Sequence, residues 1–245
     1  MRSAEIPLND PLPLGEGPAR DSRFVVAERW IECVNFPPGH PERELEFFHR
    51  QMNEEMDSLE CSARNLSDFP DSEWDLRLFL ARQCADEARH AAMFRSMLES
   101  RGGHVGQYPV LNFQYRIICN IGSLAGRLAV QNRSFEAGGL DAINFGIEDA
   151  RRRGDEGLLN LFEAQRADEI SHVRFANEWI RAAAFKDPRN MLLIGSALSS
   201  ASKAFFHVMG AEGTEGVSFP ADVAGRREAG FTDGEVQLAT RLGVR

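Results

Sequence analysis

The chain has 245 residues, 43% hydrophobic and 27% charged, enough to bury a core of single-domain size. Its 28 lysines and arginines against 37 acids give a net charge of −9, which excludes the broad basic footprint of a general nucleic-acid binder. Cys33, Cys61, Cys84 and Cys119 stand apart with no C-x-x-C pair, which suits a reducing cytoplasm and supplies neither a zinc nor a disulfide pattern.

Residues 1–22 are rich in Pro and Gly and read as an extended leader with no secretory h-region. Residues 23–40 offer a strand or short helix stopped by Pro37 and Pro38. From Pro41 a helical period begins: Leu45, Phe48, Met52, Met56, Leu59, Ala63 and Leu66 predict a first helix near 41–67. "SDFPDSEWD" breaks it at Pro70, and Ser72 to Asp75 reads as a capping box opening a second helix near 72–101, closed by Gly102-Gly103. A third helical region spans 113–153 with an interruption expected at Gly138-Gly139. It ends on Arg151, Arg152 and Arg153, where the helix dipole favours cations, and then on Gly154.

Asp155 caps a fourth helix to about Phe185, and Asp187-Pro188 opens a fifth near 188–208. After Gly213, "TDGEVQLATRL" offers one more capping box and a short helix. No strand alternation follows residue 40. No run of about 18 apolar residues occurs, so no membrane partner is expected. The expected fold is all-α, with a leader over 1–40, a four-helix bundle over 41–185 and a helical extension over 186–245.

The chemistry is carried by a motif that occurs twice. "ADEARH" places Glu87 and His90 on a stripe with Leu76, Leu80, Cys84, Ala91, Phe94 and Leu98, an apolar face with Gln83 as its polar exception. "DEISH" does the same for Glu169 and His172, beside Phe162, Gln165, Ala176 and Trp179. Each pair has a companion acid one helix earlier. Glu136 shares a stripe with Leu128, Asn132, Leu140 and Ile143.

In the first helix, spacing favours Glu54 and helical phase favours Glu55, which lines up with Phe48, Met52, Leu59 and Ala63. Phase selects Glu55, with Glu54 as the alternative. A further Glu46-x-x-His49 lacks any companion pattern, and His49 is expected at the surface or its boundary.

One Glu from each of two helices plus Glu-x-x-His from each of two others is the ligand plan of a dinuclear carboxylate site in a four-helix bundle. Glu55, Glu87, His90, Glu136, Glu169 and His172 are the expected ligands. Four carboxylates neutralise two divalent ions, and mixed oxygen and imidazole donors suit iron or manganese: two irons, two manganese ions or one of each. Asp86 and Asp168 are expected to orient the histidines across the helix pairs, Asp86 toward His172 and Asp168 toward His90, with Arg89 pairing with one of these acids.

With these residues in place the chain resembles the ferritin-like superfamily. It is most similar to the bacterial ferritin-like domain family of unknown function 455, over about residues 41–240. The resemblance rests on "CADEARH", "SRGGHVGQYPV", "RLAVQNRSFEAGGLD", "RADEISHV" and "RREAGFTDGEV". Where that family has E-A-R-G-L-D, this chain has Glu136-Ala-Gly-Gly-Leu-Asp141, so an arginine is replaced by glycine.

The superfamily includes di-iron oxygenases, a tRNA hydroxylase, rubrerythrins and ferritins. The resemblance therefore implies a metal pair and O₂ chemistry on a small organic substrate, fed by an electron donor. Iron handling and tRNA hydroxylation are the alternatives. A homodimer is left open as a partner.

Overall fold

The computed structural model describes residues 14–211, 213 and 219–242, so residues 1–13 of the expected leader lie outside the described residues. Among the described residues the fold is predominantly α-helical, with the element content of an elaborated four-helix bundle. The chain divides into two compact units, Met1–Leu124 with Ser199–Glu215, and Ala125–Leu198 with Gly216–Arg245. Each is built on one pair of long helices.

In the first unit, α1 (Arg43–Asp68) and α2 (Trp74–Ser100) run antiparallel, as their short connection requires. Arg77 at the start of α2 donates to the carbonyls of Leu66 (3.2 Å), Phe69 (3.3 Å) and Pro70 (3.2 Å). At the other end Arg101 pairs with Glu44 at 2.5 Å. The expected Ser72–Asp75 capping box does not form. Glu73 stands at the N-cap and makes no side-chain capping bond to the helix, and the Arg77 grip on three carbonyls holds the turn instead.

The buried face of α1 is also rotated from the apolar stripe. Phe48 and Met52 are buried, but Ala63 is exposed, and Asn53, Asp57, Ser58, Ser62 and Asn65 are buried instead. Asn53 and Asp57 are tolerated because Arg20 of the leader reaches them, and Ser58 donates to Gln114 at 3.3 Å. Arg20 donates to Asn53 and to both carboxylate oxygens of Glu60, each at 2.8 Å. Asp57, whose carboxyl burial pushes up to about 7, accepts the Tyr115 N–H at 3.1 Å.

That N–H belongs to α3 (Phe113–Ile118). Residues 23–40 contain both alternatives: β1 (Val26–Ala27) pairs in parallel with β2 (Val110–Leu111), and a 3-10 turn follows at Trp30–Glu32. The core of this unit includes Phe48, Leu76, Leu80, Phe94, Leu98 and Ile117.

The second unit opens with α4 (Leu124–Val130), a π turn (Gln131–Glu136), α5 (Ala137–Arg153) and α6 (Glu156–Lys186). The third helical region is thus broken at 119–123, where "CNIGS" is turn-forming, and widened at the π turn. It is not broken at Gly138-Gly139, which lie in α5 with no atom within 4 Å of an added Cβ. Burial of Ala137 and Leu140 on the same turns outweighs a glycine cost of about 1 kcal/mol each.

Gly154 ends α5 in the left-handed region (φ 67°), and Asp155 accepts the Leu158 N–H at 3.1 Å. α5 and α6 then return antiparallel, with Arg151 bonded to Glu163 at 2.7 Å and Gly146 facing the Phe162 ring. The tail adds α8 (Val223–Glu228), absent from the sequence reading, and α9 (Asp233–Leu242). The Thr232–Glu235 box forms as expected, with Thr232 N–H donating to Glu235 at 2.8 Å and Glu235 N–H to Thr232 Oγ1 at 3.4 Å.

α7 (Arg189–Met209) departs from expectation in another way. It is long and apolar enough, by length and composition, to cross a membrane, and 33% of its apolar window is buried. Interspersed Ser and Gly break the uninterrupted apolar run that the sequence criterion required.

Candidate metal centre

On α2, Gln83, Glu87 and His90 follow one another at helical spacing on a single face. Gln83 Nε2 donates to Glu87 Oε1 at 3.2 Å, and Glu87 Oε2 lies 3.2 Å from His90 Nδ1. From α1, Glu55 Oε2 approaches the same Nδ1 to 3.4 Å. The three residues are 6%, 1% and 0% exposed. Glu54 turns elsewhere, accepting from Gln51 at 2.6 Å and Arg50 at 3.4 Å. Glu55 is therefore the α1 carboxylate that reaches the α2 motif.

The second unit repeats the arrangement. Glu136 closes the π turn, and its carboxylate accepts from Asn132 Nδ2 at 2.8 Å and Gln131 Nε2 at 3.4 Å. On α6, Glu169 Oε2 lies 3.4 Å from His172 Nδ1. Glu136, Glu169 and His172 are all buried.

Within each unit the ligand atoms of the acid, the motif glutamate and the histidine lie within 4.8 Å of one another. The described residues thus contain two clusters of buried carboxylate and imidazole groups that can hold metal ions.

The donor chemistry fits a cation. His90 Nδ1 faces two carboxylate oxygens, and one Nδ1–H can serve only one of them. Buried carboxylates gathered this closely need compensating positive charge. Hard oxygen with borderline imidazole nitrogen selects first-row divalent ions over soft metals and does not discriminate iron from manganese.

The surrounding residues have definite places. Asp86 lies 3.5 Å from Arg82 and 3.7 Å from Arg89, on its own helix. Asp168 is partly buried beside Glu169. Cys84 donates to the Leu59 carbonyl at 3.7 Å, and burial raises its thiol pKa, so it packs as a structural thiol. Arg226 pairs with Asp141 at 2.7 Å and Arg227 with Asp233 at 3.0 Å.

His49 is not at the surface. It is fully buried, and Nε2 accepts the Gly106 N–H at 2.8 Å, which makes it a fastener for the loop before β2.

Sequence reasoning noticed the carboxamides Gln83 and Asn132 but gave them no task; both donate to the glutamate one turn on. The π turn was missed, although a signal existed. Leu128, Asn132, Glu136 and Leu140 are buried at successive steps of four, longer than the 3.6 period of an α-helix.

A family model described as protein of unknown function (DUF455) matches residues 8–237 of the chain. No curated protein and no solved structure matches.

Proposed function

Because the chain belongs to the family described as protein of unknown function (DUF455), within the ferritin-like superfamily, we propose that it is a dinuclear-metal oxidase or oxygenase. In this reading the two clusters hold a pair of ions. Glu55, Glu87 and His90 would hold one ion, and Glu136, Glu169 and His172 would hold the other. The observation that carries it is that each unit buries the same set, a glutamate with a Glu-x-x-His, inside helices that otherwise bury apolar residues.

When bound there, a pair of ferrous ions would supply two of the four electrons that take O₂ to the water level, a small organic substrate would give up the other two, and an electron donor would restore the ferrous state. The chain's own residues bind, orient and exclude water. Gln83 and Asn132 fix the carboxylates of Glu87 and Glu136 by donating to them. Asp86 and Asp168 would orient the histidines through the ring nitrogens not used as ligands, and Arg89 restrains Asp86.

Iron is the metal we propose; Fe/Mn and Mn/Mn pairs use the same ligands. A small-molecule substrate, O₂ and an electron donor complete the reaction in a reducing cytoplasm. A nucleic-acid substrate is disfavoured because the chain carries a net charge of −9 and Arg226 and Arg227 are each paired with a carboxylate.

The test uses the full chain, purified anaerobically and loaded with ferrous iron. About two irons per chain and rapid O₂ uptake are expected, both lost in Glu87→Gln and His172→Ala. A folded protein that binds no metal overturns the proposal.

A further inference from the structure

Glu136 stands at the end of a π turn, a conformation with one more residue per hydrogen-bonded ring than the α-helix on either side. Such a turn persists only if something outside it favours it. Returning it to α register would rotate Glu136 by about 100° around the axis, off its buried face.

Two guanidinium groups tie the turn to the surrounding helices. Arg133, in the middle of the turn, donates to Asn177 Oδ1 on α6 and to the Glu235 carboxylate on α9, and lies 4.8 Å over the Phe231 ring. Arg226 on α8 donates to the carbonyl of Ala137, the first residue beyond the turn, at 3.0 Å. It also grips the Asp141 carboxylate through Nε and NH2 at 2.9 and 2.7 Å, and lies 5.5 Å from the same Phe231 ring. Asn177, itself fully buried, closes the circuit by donating Nδ2 to the Ala229 carbonyl at 2.8 Å.

One arginine sits inside the turn and the other acts just after it. Sliding the extra residue along the helix would therefore break one hold or the other. These are charge-assisted bonds with little exposure at Arg226 and Asp141 (12% and 13%), where they are stronger than in open solvent.

We infer that residues 226–235 are a clamp that fixes the π turn and so sets where the Glu136 carboxylate stands, with Arg133 and Arg226 as positioning residues for the metal ligand. The ligand half of this inference rests on the proposed dinuclear centre; the grip on the turn does not.

The test compares full-length wild type with Arg133→Gln and Arg226→Gln. Arg152→Gln serves as a charge-matched control on the exposed end of α5, where its side chain is 70% exposed. Amide hydrogen exchange is followed on metal-free protein, and Co(II) is titrated with its visible absorption recorded. Exchange at 131–140 should accelerate at least about tenfold in both variants, with α1 and α2 unchanged. One of two Co(II) ions should bind about 10–100-fold more weakly with an altered spectrum, and the control should match wild type. Arg226→Lys, which keeps one donor for the Ala137 carbonyl, should recover part of the affinity.

Should Arg133→Gln fail to fold, Glu235→Gln weakens the same ion pair from a carboxylate that is 37% exposed. Unchanged exchange with unchanged Co(II) affinity overturns the clamp. Faster exchange with both ions held as in wild type overturns the positioning role. A wild type that takes up no Co(II) overturns the dinuclear centre, and the positioning role falls with it.

Discussion

Glu55→Gln should stabilise the metal-free protein and weaken the metal-loaded one. Glu55 and Glu87 are 6% and 1% exposed, and their oxygens stand 3.4 and 3.2 Å from a single nitrogen of His90. Their ligand atoms lie within 4.8 Å of each other. Two unit charges at that separation repel by about 3.5 kcal/mol at an effective dielectric near 20. Glutamine keeps the shape and a carbonyl acceptor but removes the charge; losing charge assistance to the imidazole offsets about 1 kcal/mol.

The net expectation is a gain of about 2 kcal/mol, read as a higher urea midpoint at unchanged slope in chelator-treated protein. With Co(II) at a hundredfold excess over its dissociation constant, wild type gains about 2.7 kcal/mol per site and the variant less, so the order narrows or reverses. The reasoning is refuted if metal-free Glu55→Gln is destabilised by about 3 kcal/mol or more. That result would mean Glu55 is the structural partner of a protonated His90, because breaking a buried ion pair costs about that much.

His49 should make the protein acid-sensitive. Burial, with a smaller contribution from His104, lowers its pKa to about 4, so it stays neutral in the native state while the unfolded chain takes a proton below about 6.5. Its contribution is complete above that pH and falls as pH drops toward 4, by about 2 kcal/mol. Urea midpoints at pH 7 and 4.5 for wild type and His49→Gln should show the gap between them closing on the acid side, and a pH-independent gap refutes this.

Gly106→Ala should cost about 3 kcal/mol in thermal unfolding, because φ is +85° and the new Cβ would lie 2.4 Å from the Arg23 carbonyl oxygen. A loss below about 1 kcal/mol would show that the loop yields. Asp222→Ala should cost about 3 kcal/mol, since this buried acid accepts from Arg166 at 2.9 and 2.7 Å and caps Gly225 at 2.9 Å. Asp222→Asn should recover the cap alone, and urea unfolding that finds the two variants equal refutes that division.

By itself the sequence determined the all-α class, the limits of α1, α2, α6 and α7 to within about two residues, and the Asp155 and Thr232 caps. It also selected Glu55 over Glu54 and put Glu87 with His90 and Glu169 with His172 on buried faces. These are local matters: helix geometry fixes the direction of each Cβ, so phase against apolar neighbours shows which side chain turns inward.

The tertiary structure decided what depends on partners far along the chain. Burial of Asn53 and Asp57 follows from Arg20 reaching α1, and burial of His49 from the Gly106 loop closing over it. Arg77, not Ser72, secures the turn into α2, because it meets carbonyls at the end of the preceding helix. The π turn that carries Glu136 is held by Glu235, 102 residues from Arg133. Helical periodicity carries no information about such contacts, because their free energy is gained only after distant segments have come together.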